Sequence, residues 1–139
     1  MPPRLLLLGA RPDAVPAVDF AARLDWKVTV VDHRPDYATS LRFALAERVV
    51  PAPFPAALSE VVDLEAFDAA VVMSHHLASD LAYLRTLAHA GIRYVGLLGL
   101  AARREELLES VNGEADRLRP RLHAPVGLPL GGRAPESMR

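Results

Sequence analysis

The chain has 139 residues, 51% of them apolar, and a formal net charge of −1 at neutral pH. That is enough for one domain with a real hydrophobic core, and too apolar for a disordered segment. The balanced charge and the lack of a basic stripe exclude an electrostatic nucleic-acid binder, and no apolar run approaches the ~20 residues of a membrane span. With no cysteine, disulfides, thiolate metal sites and cysteine nucleophiles are excluded too. No secretory signal is visible, so the expected location is cytoplasmic.

Leu5 to Leu8 is an apolar run suited to a buried strand. Gly9-Ala10-Arg11-Pro12-Asp13-Ala14 is a turn of the kind that ends such a strand and opens a helix. Asp13 is the expected N-cap, and Pro16 falls in the first turn, where its missing N–H is harmless. Val15, Val18 and Ala21 or Ala22 give the helix an apolar stripe that ends near Leu24. Lys27 to Val31 is a second strand, rich in β-branched residues, and it closes on Asp32. His33-Arg34-Pro35-Asp36 breaks the pattern, and Ala38 to Leu45 is expected to form a short helix.

Glu47 to Val50 reads as a third strand, followed by an irregular segment holding Pro51, Pro53 and Pro55. Ala56 to Leu64 is a weak helix, and Ala69 to Met73 is an apolar strand ending in Ser74-His75-His76. Leu77, Leu81, Leu84 and Ala88 mark a helix with Gly91 as its stop. Tyr94 to Leu97 is a fifth strand and leads through Gly96 and Gly99 toward a helix over Arg103 to Val111, closed by Gly113. Leu122 to Leu128 is an extended segment or short sixth strand. The ordered core is expected over residues 4–128, with residues 129–139 mobile.

Strands alternating with helices predict one α/β domain of the Rossmann-like type. Its doubly wound parallel sheet has strand order 3-2-1-4-5 and forms three α/β/α layers. Ligands of such sheets bind beyond the carboxyl ends of the strands, where the winding reverses. That rule gathers Gly9, Ala10 and Arg11 with Asp32, His33 and Arg34 and with Ser74 and His75. Gly96 and Gly99 lie beside them.

Each candidate has a structural alternative. Gly9 keeps the first glycine of a G-x-G-x-x-G turn, Arg11 replaces the second and Ala14 the third. Arg11 either reaches a phosphate or fills the space that a phosphate needs. Asp32, 18 residues after Ala14, is placed to accept ribose hydroxyls or is a solvated strand-end acid. Arg34 receives a 2′-phosphate or is a loop charge. Ser74 and His75 contact a ligand or cap the next helix. Arg103 and Arg104 bind an anion or form a solvated face. His123 reads as a strand residue, and Trp26 and Tyr94 read as packing.

Together these segments resemble the C-terminal Rossmann-like domain of the XdhC/CoxI family, accessory proteins of molybdenum hydroxylases such as xanthine dehydrogenase. The resemblance is carried by the Gly9–Ala14 turn and by Val30-Val31-Asp32-His33-Arg34-Pro35. It continues through Val71-Val72-Met73-Ser74-His75, Asp80-Leu81, Tyr94-Val95-Gly96-Leu97-Leu98-Gly99 with Arg103-Arg104, and Leu122-His123-Ala124-Pro125-Val126-Gly127-Leu128. Pro129 stands where the family usually carries aspartate.

The resemblance implies a cofactor-binding chaperone rather than a turnover enzyme. Such a protein holds the molybdenum cofactor (molybdopterin), assists its sulfuration and hands it to the molybdenum hydroxylase apoenzyme. The mechanism expected is sequestration, with backbone amides of the Gly9 turn and helix N-terminus on phosphate, Asp32 on hydroxyls, and Ser74 and His75 on the floor. It further implies a partner chain for the family's N-terminal half, and a homodimer is compatible with it. The alternatives are an NAD(P)-binding half of an oxidoreductase, which lacks a Tyr-x-x-x-Lys proton-transfer set here, and a ligand-free interaction module.

Overall fold

The computed structural model describes residues 2–34, 39, 41–52, 58–74, 76–97 and 115–123. The strands are β1 (Arg4–Leu8), β2 (Lys27–Asp32), β3 (Arg48–Pro51), β4 (Ala69–Val72), β5 (Tyr94–Leu97) and β6 (Leu122–His123). The helices are α1 (Ala14–Arg23), α2 (Leu58–Val61), α3 (Leu77–Ala88) and α4 (Ala115–Leu118), with a one-turn 3-10 helix at Leu64–Ala66. None of the described helices is long and apolar enough to cross a membrane.

All strand pairs are parallel, in the order β3-β2-β1-β4-β5-β6. The expected order holds, and β6 extends it by pairing Leu122 with Val95 and His123 with Gly96. From β1 the chain winds outward to β3, then returns to β4 and winds the other way. The reversal lies between the adjacent strands β1 and β4, so the connections leave a gap above their carboxyl ends.

The strand period of two divides the core into the two faces of this sheet. Leu5, Leu7, Val28, Val30, Ala69 and Val71 pack toward Ala14, Val18 and Ala21 of α1 and toward Phe43. Leu6, Leu8, Val31, Ala70, Val72, Val95 and Leu97 pack on the opposite face, against Leu58, Tyr83, Leu84, Leu87 and Leu118. Leu5 to Leu8 are each at most 1% exposed, which is why an unbroken leucine run belongs in the middle of the sheet. Each such side chain contributes about 1.5–3 kcal/mol by leaving water.

Helix ends depart from the sequence expectation in two places, Asp13 and Gly91. The Asp13 side chain makes no capping hydrogen bond, and its backbone is already helical. Helix α1 stops at Asp25, which takes φ +67°, while Asp25 and Trp26 donate their N–H groups to the carbonyls of Ala22 and Ala21. That pair of bonds is a Schellman stop with aspartate in the seat glycine usually takes. Gly91 is not the left-handed stop of α3. The turn instead closes through His89 N–H to Thr86 and Ala90 N–H to Leu87, and Gly91 N–H donates to Glu65 Oε2 at 3.1 Å.

The Arg121 guanidinium reaches the carbonyls of Leu87, Ala88, Ala90 and Ile92 at 2.6–3.4 Å. A cation thus sits on the carbonyl end of α3, where the helix dipole favours it. The segment expected as a helix over Ala38 to Leu45 is turns at its described residues 41–45, with Phe43 as the buried plug. Among the described residues of that stretch only Phe43 reaches the core, whereas Leu41 stays 93% exposed, so they present no helical stripe. Of the weak helix expected over Ala56 to Leu64, the described residues 58–64 form a helix at Leu58–Val61, and the following 3-10 turn is capped by the Asp63 side chain. The expected helix at Arg103 to Val111, Gly113, and the segments at 124–128 and 129–139 lie outside the described residues.

Candidate functional site

Register sets the rim of the crevice. Leu8 is paired with both Val31 and Val72, so β1, β2 and β4 finish level, and Gly9, Asp32 and Met73–Ser74 emerge side by side. The ladder runs one step further, through Gly9 N–H to Val31 O at 2.8 Å and Met73 N–H to Leu8 O at 2.9 Å. Gly9 has φ +126°, and a Cβ there would lie 2.7 Å from Cα and N of Ser74. The first turn therefore lies directly on the end of β4, and only glycine fits the contact.

Asp32 is the centre of the rim, and it is 1% exposed. Its Oδ2 accepts the Ala10 N–H at 2.7 Å and the Arg34 Nη2 at 3.1 Å. Its Oδ1 accepts the Arg34 N–H at 2.8 Å and Nε at 3.0 Å, with His33 Nδ1 at 3.5 Å. Burial by itself would raise this carboxyl. The Arg34 side chain, the Ala10 amide and the Arg34 amide outweigh that effect and hold it below the usual carboxylate range. Ala10 is anchored at its other end too, because its carbonyl accepts Arg42 Nη1 at 3.2 Å.

The floor belongs to β4 and α3. Ser74 Oγ–H donates to Asp80 Oδ1 at 2.5 Å, and the Ser74 N–H donates to the same oxygen at 3.2 Å. Asp80 is fully buried. Helix α3 is capped by His76, whose Nδ1 accepts the Ser79 N–H at 3.4 Å. Tyr83 is buried in the core cluster that also holds Leu6, Leu8 and Val31. Burial, then the charges of Asp32 and Asp80, push its phenol well above the ordinary range, and Arg34 pulls back against them. The site thus holds two buried carboxylates, a phenol kept protonated, and arginines at its edge.

The sequence candidates Gly9, Ala10, Asp32, Arg34 and Ser74 come together at this rim, with His33 at its edge. Arg11 is exposed, so it does not fill the gap above Gly9. Gly96 is buried inside β5, level with Val71 and one residue short of the strand end. His75 and Gly99 lie outside the described residues.

The fold engages part of the expected phosphate-binding backbone. The amides of Gly9, Ala10, Ala14 and Val15 donate to Val31 O, Asp32 Oδ2, Arg11 O and Pro12 O, and Pro12 and Pro16 have no amide hydrogen. Four donors of the turn and helix start are therefore already engaged within the protein, which leaves fewer amides for a phosphate than the sequence alone counts.

Sequence reasoning passed over Asp80, Tyr83 and Arg42 as site residues. Asp80 left a trace: with Leu84 and Leu87 it forms an i, i+4, i+7 set, which puts a carboxylate on the buried stripe of its helix. A buried carboxylate requires a partner, and Ser74, 6 residues upstream at the end of β4, is a polar residue that the strand end could supply. Arg42 left none, since its contact with Ala10 spans 32 residues across an irregular segment.

The parallel order, the reversal between β1 and β4, and the acid at the end of β2 define a Rossmann-type α/β domain with a switch-point crevice. Comparison with known proteins names the branch. Residues 5–138 match the family described as the XdhC Rossmann domain, and the chain belongs to that family. It is 37% identical over 136 residues to a probable xanthine dehydrogenase subunit of Bacillus subtilis, covering 98% of this chain and 39% of that protein. It also matches the crystal structure of a xanthine dehydrogenase from Bacillus halodurans, with TM-score 0.77 and 31% identity. That match covers 97% of this chain and 38% of the other. The chain thus spans about two fifths of the length of the curated relative it matches.

Proposed function

We propose that this domain is the cofactor-handling part of an XdhC-type accessory protein for a xanthine dehydrogenase. It holds the molybdenum cofactor in the switch-point crevice and releases it to the apoenzyme in the cytoplasm, without turning it over. The remainder of such an accessory protein, on the same chain or a separate one, completes the assembly with the client.

One observation carries the reading. The polar groups at the carboxyl ends of β1, β2 and β4 converge at a single rim, yet they are committed to one another. Asp32 is held by Ala10 and Arg34, and Asp80 is held by Ser74. Such groups shape and charge a pocket, but they offer no acid–base pair poised for proton transfer. Holding suits them better than chemistry.

The residues present fit a phosphorylated pterin. Arg34 and Arg11 would take the phosphate as charged side chains, in place of the occupied amides. Ser74 and the Ala10 backbone would border the ring. When bound, the group supplies a redox-active molybdenum centre for the client enzyme. The chain contributes no thiolate to that metal, having no cysteine, and its part is to bind, orient and exclude water.

The test is calorimetry of the purified domain with molybdopterin, NAD and NADP, together with co-purification against a xanthine dehydrogenase apoenzyme. Saturable molybdopterin binding and co-purification are the expected results. Tight NAD(P) binding with hydride transfer, or binding of none of the three, overturns the proposal.

A further inference from the structure

We propose that Arg34 sets the ligand specificity of the crevice. It selects molecules that end in a phosphomonoester and rejects those that present a bare ribose diol. This inference rests on reading the crevice as a ligand site, and it names the chemistry that the site prefers.

The acid at the end of the second strand is where dinucleotide folds accept ribose hydroxyls. Here that acid is unavailable. Both oxygens of Asp32 are engaged, three of their bonds come from Arg34, and the carboxylate is 1% exposed. A diol can reach Asp32 only if the guanidinium leaves. That exchange replaces charge-assisted, two-point bonds with neutral hydroxyl bonds, and it strips a buried carboxylate of its cation.

A phosphate faces the opposite situation. The Arg34 side chain is 32% exposed, so it presents charge to the rim while Asp32 fixes its orientation. An anion can meet it with the Asp32 bonds intact. Arg42, tied to the Ala10 carbonyl, and the exposed Arg11, next in the chain, add positive charge to the first turn. Against them stand Asp13 on that turn, Asp32, which Arg34 already pairs, and the buried Asp80, so the attraction for an anion is local to the exposed side of Arg34 rather than a net positive field. Arg34 thus performs two tasks with one contact. It covers the group that would read a diol, and its exposed part presents the charge that would read a phosphate.

Adenosine and adenosine 2′-monophosphate form a matched pair of probes, since they differ only in the phosphate. Calorimetry on the wild-type domain should show the monophosphate binding tighter by about tenfold or more, the range of a hydrogen-bonded charge pair. Arg34→Ala should bring the two affinities together, with adenosine gaining because Asp32 is uncovered. Arg34→Lys keeps a charge but lacks the fork. It should retain the monophosphate and relax the exclusion of adenosine, which guards against a misfolded alanine variant.

Equal wild-type affinities, no binding of either probe, or an unchanged ratio in Arg34→Ala and Arg34→Lys overturns the inference. Molybdopterin is absent from this assay, so the two readings fail separately. If molybdopterin binds but the probe ratio ignores Arg34, the specificity role falls and the accessory role stands.

Discussion

Gly9→Ala tests the geometry on which the rim depends. The added Cβ would lie 2.7 Å from Cα and N of Ser74 and 2.8 Å from the carbonyl carbon of Met73, where ordinary contact begins at 3.4 Å. The shortfall is therefore about 0.7 Å against main chain, which no side-chain rotation relieves. Retreat of β4 is resisted by the Met73–Leu8 ladder bond and by the ties of Ser74 to Asp80. A non-glycine residue at φ +126° adds about 1–3 kcal/mol of backbone strain. Overpacking of this kind adds about 1–3 kcal/mol more. The expected loss is then about 2–6 kcal/mol, a large share of the stability of an ordinary domain.

Gly91→Ala is the control. Its Cβ would lie 2.6 Å from Glu65 Oε1, just as close, but that atom is the tip of an exposed, flexible side chain. Glu65 can turn away, and the cost should stay below about 1 kcal/mol. Urea unfolding followed by far-UV circular dichroism measures both, with the slope m showing whether the two-state comparison holds. A Gly9→Ala loss under about 1 kcal/mol, or equal losses at the two glycines, would refute the close contact between the first turn and β4.

Asp25→Gly should stabilise the protein by about 0.5–1 kcal/mol, because the residue sits at φ +67° where glycine carries no Cβ penalty; a lower urea midpoint would contradict this. Arg121→Ala leaves the carbonyl end of α3 without its cation and should cost about 1–3 kcal/mol, with faster hydrogen exchange at the end of that helix. Asp32 governs acid stability. Its folded carboxyl lies below the unfolded value of about 3.9, so the unfolded chain binds more protons in acid. The stabilisation is complete above that value and is lost as pH falls below it. Asp32→Asn should remove up to about 1.4 kcal/mol per pH unit from the acid limb, read from urea titrations between pH 2 and 5. An acid limb as steep as the wild type's would exclude the assignment.

The sheet was legible in the sequence because its signals are local. A run of four leucines, a valine-rich strand and an apolar Ala69–Met73 segment each state a buried strand, and alternation with helices leaves one sensible winding order. The approximate position of the site followed from topology, since strand ends and their turns are fixed once the order is known. What the residues there do was not legible.

Asp32 read as an open carboxylate becomes a buried one because Arg34 turns back over it, a choice made by packing and ion pairing rather than by spacing. The same holds for the amides of the Gly9 turn. Sequence counts them as donors, and only the folded chain shows that Val31, Asp32, Arg11 and Pro12 have taken four of them. Helix ends failed for a related reason. At the end of α3 the Arg121 guanidinium satisfies carbonyls where Gly91 was expected to serve as the stop, and several residue types can meet that demand once tertiary contacts bring them near.

Periodicity and composition therefore determined which segments are strands, how they wind and where a ligand would approach. Tertiary structure alone decided which polar atoms remain available at that place. Hydrogen bonds and ion pairs between Ala10, Asp32, Arg34 and Arg42 join residues up to 32 positions apart. No local pattern encodes a partner at that distance.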